Sequence, residues 1–349
     1  GIVIAALLAT GSSLEKAQVI VIGLLVGGLV HFLVCLPAVL KLWGPLRLNT
    51  AIWRTKRFAR IGREMGKVIA IGIFAQLNIM MLRILASYLD EGAVTQYWYA
   101  NRVVDLAQGV IAVAVGSAML PPISKAVAAG DWESFERTFV DAARMAAVVL
   151  VPAAALLFII PDPIVRTLFQ HGNFSAQGAE LTARCLVMMV PFMLAVAGIN
   201  IIKKPYFALE RRDVLLGVGA LGLCVTIATG WWLAIHLELG VEGLALALSV
   251  STLIQLFAYI VILHQIFDAK VGMGKLLGPL GRMAVAAVPA AATAWAVCLL
   301  GDFESGSSAK NIAVLLGGCG VAVPIYLGAA WTLGVRQELQ VVIRKLKGR

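Results

Sequence analysis

Long apolar runs separated by short charged or turn-rich intervals set the pattern of this 349-residue chain. Full-length runs lie at 17–40, 68–89, 93–120, 142–160, 181–202, 214–236, 241–264, 283–300 and 312–333. Each is close to the ~20 residues that an α-helix needs to cross about 30 Å of hydrocarbon. Because the bilayer core offers the backbone no water, each run is expected to satisfy its own peptide groups as a helix. A further apolar run, residues 1–10, is shorter, and it starts without an initiator Met or a charged flank. It reads as a cut through a helix and not as a signal peptide. The pattern therefore predicts an all-α, polytopic transmembrane helix bundle with nine full spans and one partial one.

Composition agrees. The chain is 60% hydrophobic and only 14% charged, with a mean hydropathy of +0.91, whereas soluble globules are about one-quarter charged. Lys and Arg are unevenly distributed between alternate loops. Eight lie between 41 and 67, three between 121 and 144, four between 203 and 213, three between 264 and 282, and five from 334 onward. The opposite set holds only Lys16, Arg166, Arg184 and Lys310. The positive-inside rule then places the first set, and with it the C-terminus, in the cytoplasm. The tract at 41–67 interleaves its cations with Trp43, Ile52, Trp53, Phe58 and Ile61. That mixture predicts an amphipathic helix lying on anionic lipid headgroups, so membrane lipids and not nucleic acid are the expected partner. The cysteines Cys35, Cys185, Cys224, Cys298 and Cys319 stand singly, and the four histidines lack i+3 or i+4 partners. Neither a disulfide framework, nor a metal site, nor any cofactor is indicated.

The run at 93–120 is unusual because it carries Asn101, Arg102 and Asp105, flanked by Gln96 and Gln108. Placing an arginine inside a membrane helix costs roughly 2.5–3.5 kcal/mol on insertion scales, so it normally faces a bundle interior or a watery cavity. Two explanations stand. Arg102 and Asp105, at i and i+3, form a pair that fixes helix packing. Alternatively, Arg102 meets an anionic substrate while Asp105 and Asn101 hold its guanidinium, whose planar fork suits phosphate oxygens. Small residues follow at Gly109, Gly116, Ser117 and Ala118, permitting close or shifting helix contacts. Pro121 and Pro122 are expected to end the helix. The last two runs are rich in Ala and Gly, including Ala286, Ala287, Ala290, Ala291, Ala292, Gly317, Gly318 and Gly320. Such surfaces suit either a lipid-guiding groove or ordinary close packing.

A faint internal echo links residues 27–36, GGLVHFLVCL, with 251–260, STLIQLFAYI, each in the span before a basic loop. A true duplication would mean two lobes in parallel orientation. More specific are YANR at 99–102, the VVDLAQGVIAVAVGSAMLPPISK that follows, AGDWESFERTF at 129–139, LFQHGNFSA at 168–176 and KKPYFALERRD at 203–213. Together these resemble the MurJ (MviN) family, flippases of lipid-linked peptidoglycan precursors, over essentially the whole chain.

That resemblance implies the multidrug/oligosaccharidyl-lipid/polysaccharide exporter fold, with about ten spans of an expected fourteen present here. It further implies the end of a first lobe at 1–44, a basic amphipathic linker at 45–67, a six-helix second lobe at 68–268, and an extra helix pair with a basic tail at 269–349. On that pattern the preceding part of the protein is expected to hold about four more helices with cavity arginines. The protein would be no enzyme. It would flip a polyprenyl-pyrophosphate-linked precursor across the bacterial inner membrane by alternating access, with the cell-wall synthesis machinery as a candidate partner. Arg102 would be among the arginines of the central cavity, with Asn101 and Asp105 beside it. Two departures stand out. Many relatives have Asp-Arg where this chain has Asn101-Arg102, and an acidic residue proposed for cation coupling in the preceding helix falls near Leu82 here, beside Arg83. A related exporter of O-antigen units, polysaccharide or drugs is the alternative. An intramembrane glycosyltransferase would need paired acidic residues in a large loop, and a channel would show repeated polar stripes.

The charge bias makes a direct prediction. Single cysteines placed at Thr55 and Ser307, in a background lacking the native ones, should label differently from outside the cell with an impermeant thiol reagent. Ser307→Cys is expected to react and Thr55→Cys to stay protected; equal labelling would overturn the topology.

Overall fold

The computed structural model describes residues 13–43, 55–171, 174–267 and 273–335. Among these residues all regular structure is helical. The chain runs through α1 (Ser13–Trp43), α2 (Lys56–Ser87), α3 (Ala93–Ala129), α4 (Trp132–Ile159), α5 (Pro161–Phe169), α6 (Ala176–Ala208) and α7 (Arg212–Gly230), which continues as a π-helical turn, Trp231–His236. Then come α8 (Gly240–Phe267), α9 (Met273–Cys298), a 3-10 turn at Phe303–Ser305 and α10 (Ala309–Thr332). Eight of these helices are long and apolar enough to cross a membrane, and the ninth run found in the sequence lies in α3. The apolar run at 1–10, the first ten residues (45–54) of the expected linker at 45–67 and the basic tail from 336 lie outside the described residues.

Two compact units divide the chain, Gly1–Glu64 and Met65–Arg349. In the first, α1 is a single apolar helix that carries Pro37 in its interior. In the second, α6 is central and packs against α3, α4, α5 and α8, while α9 joins α10 to the rest by lying along α4.

Several boundaries differ from the pattern's expectations, each for a local reason. The basic stretch from Lys56 does not form a separate surface helix but supplies the first turns of α2, running directly into its apolar span. Helix α3 does not stop at Pro121-Pro122; it ends eight residues later, at Gly130, whose φ of 66° lets its N–H reach back to the carbonyls of Ala126 and Val127. Glycine takes that left-handed cap without the Cβ clash of other residues, and packed neighbours let membrane helices continue through proline. Asp131 then caps α4 by accepting from the Ser134 N–H at 3.0 Å. The cations Lys203 and Lys204 belong to α6, which runs on to Ala208.

With no hydrophobic gain between helices in lipid, association depends on small residues and on polar links. Both are present. Pro191 interrupts α6, and the buried Ser249 hydroxyl of α8 accepts from the Phe192 N–H at 3.3 Å and donates to the Met188 carbonyl at 2.5 Å. Those two groups would pair with each other in a regular helix. A second chain crosses three helices: the Asn78 amide donates to Thr226 at 3.0 Å, Thr226 to Ser251 at 2.8 Å, and Ser251 to the Gly222 carbonyl at 2.8 Å. In the terminal pair, Ala286, Ala287, Ala290, Ala291 and Ala294 are buried. A Cβ at Gly318 would sit 3.2 Å from the Ala294 carbonyl oxygen. These positions are used for close packing, whereas Gly317 and Gly320 face open space.

Gly243 is held against the π-helical turn so tightly that a Cβ there would lie 2.8 Å from the backbone of Leu233 and Ala234. Neither backbone can step aside, so Gly243→Ala should destabilise the protein by about 1–3 kcal/mol, the usual cost of overpacking. Gly317→Ala meets nothing and gains helix propensity of up to ~1 kcal/mol. Thermal unfolding in detergent should therefore move down for the first and not for the second.

Candidate functional site

The first turns of α3 are oriented by two sequence motifs that meet in space. Tyr99 of YANR packs against Phe169 and Phe174 of LFQHGNFSA, with ring centroids 4.6 and 5.1 Å apart. Tyr97, Ala100, Val103 and Val104 are buried in the same interface. With those positions turned inward, the 3.6-residue period turns Arg102, Asp105 and Leu106 outward. The Arg102 side chain is 68% exposed and that of Asp105 48%.

The contacts among the three expected residues are not those of a simple clamp on the arginine. Arg102 Nη1 lies 3.7 Å from Asp105 Oδ2, an ion pair too long to be a hydrogen bond. Asn101 instead donates its side-chain amide to the same Asp105 oxygen at 3.2 Å. Among the described residues, the side-chain hydrogen bond to this carboxylate therefore comes from Asn101 and not from the guanidinium.

Asn101 and Asp105 also line a half-open cavity of about 420 Å³ bordered by α2, α3, α6, α7 and α8. Asn78, Asn200, Lys203 and Gln255 supply most of its remaining polarity, and Leu82 contributes an apolar wall. Arg102 is not among its lining residues. Asp105 thus faces both ways, lining the cavity with Asn101 and pairing with Arg102 at its edge. Lys203 is the polar group that sequence reading missed, having been assigned to a loop. Its ammonium lies 6.0 Å from the Tyr259 ring and makes no ion pair among the described residues. The spacing of Val196, Ile199, Asn200 and Lys203, all of which line the cavity, is that of one helical face and was the signal available.

The rest of LFQHGNFSA works as a brace. Arg166 donates to both Asp162 oxygens at 2.7 Å and to Gln170 Oε1 at 3.3 Å. Gln170 donates in turn to the Glu304 carbonyl at 3.3 Å and accepts from the Ser307 N–H at 3.1 Å. Buried Asn311 organises the same loop from within, donating to the Asp302 and Gly306 carbonyls at 2.6 and 2.7 Å. The turn between α9 and α10 is therefore tied to the segment that positions Tyr99. Gly172 and Asn173 of the motif lie outside the described residues.

Known proteins with the same features form a coherent set. The fold is similar to a solved lipid II flippase MurJ in an inward closed conformation, with a TM-score of 0.71 at 18% identity, covering 94% of this chain and 64% of that one. It is similar at a coarser level to the crystal structure of a point mutant of a MATE protein, with a TM-score of 0.50 at 15% identity over 85% of this chain and 71% of that one. A probable lipid II flippase MurJ of Bdellovibrio bacteriovorus is 26% identical over 315 residues, covering 90% of this chain and 59% of the relative. That of Vibrio cholerae is 24% identical over 328 residues, covering 93% and 61%. The chain thus spans about three-fifths of the length of these relatives. Residues 1–314 match the family described as lipid II flippase MurJ, and this multi-pass membrane protein belongs to that family.

Proposed function

We propose that this chain forms the part of a lipid II flippase that presents Arg102 to the anionic head of a lipid-linked peptidoglycan precursor. The observation that carries the reading is the state of that arginine. Arg102 projects from the exposed face of a membrane helix, its one carboxylate neighbour among the described residues sits at 3.7 Å, and that carboxylate is already engaged by Asn101. A guanidinium cannot shed its charge in a protein, so a site in the bilayer that leaves it under-compensated favours an incoming anion.

The chemistry of the task matches. A pyrophosphate carried into hydrocarbon without partners is very costly. A fixed, forked cation replaces the water that the phosphates lose, and charge-assisted pairs of this kind are the stronger hydrogen bonds. The polyprenyl tail remains in lipid. Rocking of two lobes about the site then exposes it first to one side and then to the other. No bond is made or broken, so the protein is a transporter and not an enzyme. Asp105, held by Asn101, sets the guanidinium's position without neutralising it.

In this reading residues 1–44 close a first lobe, 45–67 link it, 68–268 form the second lobe and 269–349 add the helix pair with its basic tail. The charge bias supports a cytoplasmic C-terminus, and the family supports residence in the bacterial inner membrane beside the machinery of cell-wall synthesis.

A double substitution separates substrate binding from bracing. If Arg102 only pairs with Asp105, removing both charges should be tolerated, because replacing an ion pair by apolar residues is often neutral. If Arg102 meets phosphate, Arg102→Leu/Asp105→Leu should be as inactive as Arg102→Leu alone. Arg102→Lys keeps the charge but loses the fork and should retain partial function. The assay is complementation of a flippase-depleted strain by the full-length protein at matched membrane abundance. Growth supported by the double variant would contradict the substrate-binding role.

A further inference from the structure

A second arginine lies within a membrane span and is absorbed by nothing described so far. Arg83 belongs to the apolar stretch of α2, where Leu82, Leu85 and Ala86 are buried while Arg83 itself is exposed. Its guanidinium carbon lies 4.5 Å from the centroid of the Trp98 ring. It makes no ion pair among the described residues. Trp98 lies four residues before Arg102 on α3, so the two are neighbours on one helix face. Arg83 and Arg102 thus both lie beside the Trp98 indole, which is half-buried and lines the cavity with Asn101 and Asp105.

The ring contact defines what is left for a ligand. An arginine over an aromatic face is attracted by the ring's quadrupole, and its five N–H donors all lie in the guanidinium plane. Those in-plane donors are the ones that grip phosphate oxygens in pairs. Depth distinguishes the two cations. Arg83 lies four residues from the end of α2 at Ser87, and Trp98 five residues into α3 from Ala93. At 1.5 Å per residue both are roughly 6–8 Å from the connecting turn, whereas Arg102 is about 14 Å along α3. The charge bias puts that turn on the outer side of the membrane.

We propose that Arg83 is a second phosphate-binding residue, one step outward of Arg102, which receives the phosphate-bearing lipid head on its way to release, with Trp98 as the residue that positions it. This rests on the reading of Arg102 as an anion site and extends it from one contact to a path of two. An anionic lipid head approaching from the deeper site meets a cation already oriented by the indole, so it is handed from one guanidinium to the next without an interval in hydrocarbon.

The test uses the full-length protein in lipid nanodiscs, with binding of a polyprenyl pyrophosphate and, separately, of phosphatidylglycerol measured by native mass spectrometry. Arg83→Gln should weaken the pyrophosphate lipid about tenfold, the scale of one lost charge-assisted hydrogen bond, and leave phosphatidylglycerol within about twofold. Trp98→Leu should weaken the same ligand with the cation still present, which a merely structural charge would not do. If Arg83→Gln does not accumulate in membranes, Arg83→Lys serves instead, with about a threefold loss expected from the missing fork. An unchanged pyrophosphate affinity in the arginine variant would overturn the proposal. So would an equal loss for both lipids, since that is the behaviour of an arginine reaching to ordinary headgroups. Arg102→Gln is measured in parallel: unaltered binding there would count against the deeper site alone, and the Arg83 result would still decide this one.

Discussion

The constraint on which this molecule depends is that a guanidinium within a membrane span must be answered by something. It keeps its proton at any physiological pH, and the hydrocarbon around it cannot solvate it. Among the described residues Arg102 has one long carboxylate contact, and that carboxylate accepts a hydrogen bond from Asn101. An Asp-Arg sequence at these positions would bring a further negative charge next to the cation; the asparagine holds Asp105 in place and adds none. On the proposed reading this face favours an anion, and it lies on a helix whose rotation is fixed by Tyr99, tilted against Phe169 and edge-on to Phe174.

On the proposed reading, a lobe that carries such a face through a rocking motion has to move as one body. The polar links supply that rigidity in a medium where burial of apolar surface cannot. Ser249 repairs the ladder of α6 beside Pro191, the Asn78–Thr226–Ser251 chain binds α2 and α7 to α8, and Gln170 fastens the α9–α10 turn to the segment that orients α3. The interior cavity sits among these links, with Asp105 and Lys203 both on its wall. Its lining is mainly apolar, and Trp98, Asn101 and Asp105 bring it next to the face where Arg102 lies.

Much of this was legible in the sequence, because bilayer thickness fixes helix length and apolar runs report it directly. Each of the nine full runs falls within a helix to within two residues at its ends, the run at 214–236 finishing in the π-helical turn, and Arg102 stands out as soon as its run is read as a span. What was not legible depends on three-dimensional neighbours. Pro121-Pro122 read as a stop by local rules, yet α3 continues to a glycine cap. Lys203 followed the end of an apolar run and so read as a loop cation, whereas α6 carries it into a cavity wall. The bond from Asn101 to Asp105, in place of one to Arg102, turns on side-chain directions that spacing alone leaves open. The meeting of YANR with LFQHGNFSA could not be read at all, since residues about seventy positions apart touch only once the fold exists.

The most direct measurement of the central claim asks what bathes the face beside Arg102. Leu106 is 66% exposed on that face, and Val323, 54% exposed, lies on an apolar stretch of α10. A single cysteine at each position, in a full-length background without native cysteines, can be challenged in membranes with a small water-soluble thiol reagent. If the α3 face lines a hydrated cavity, Leu106→Cys reacts readily, Val323→Cys does not, and added polyprenyl pyrophosphate slows the first. If Leu106→Cys is as inert as Val323→Cys, that face looks into lipid, and the account of Arg102 as a waiting anion site is wrong.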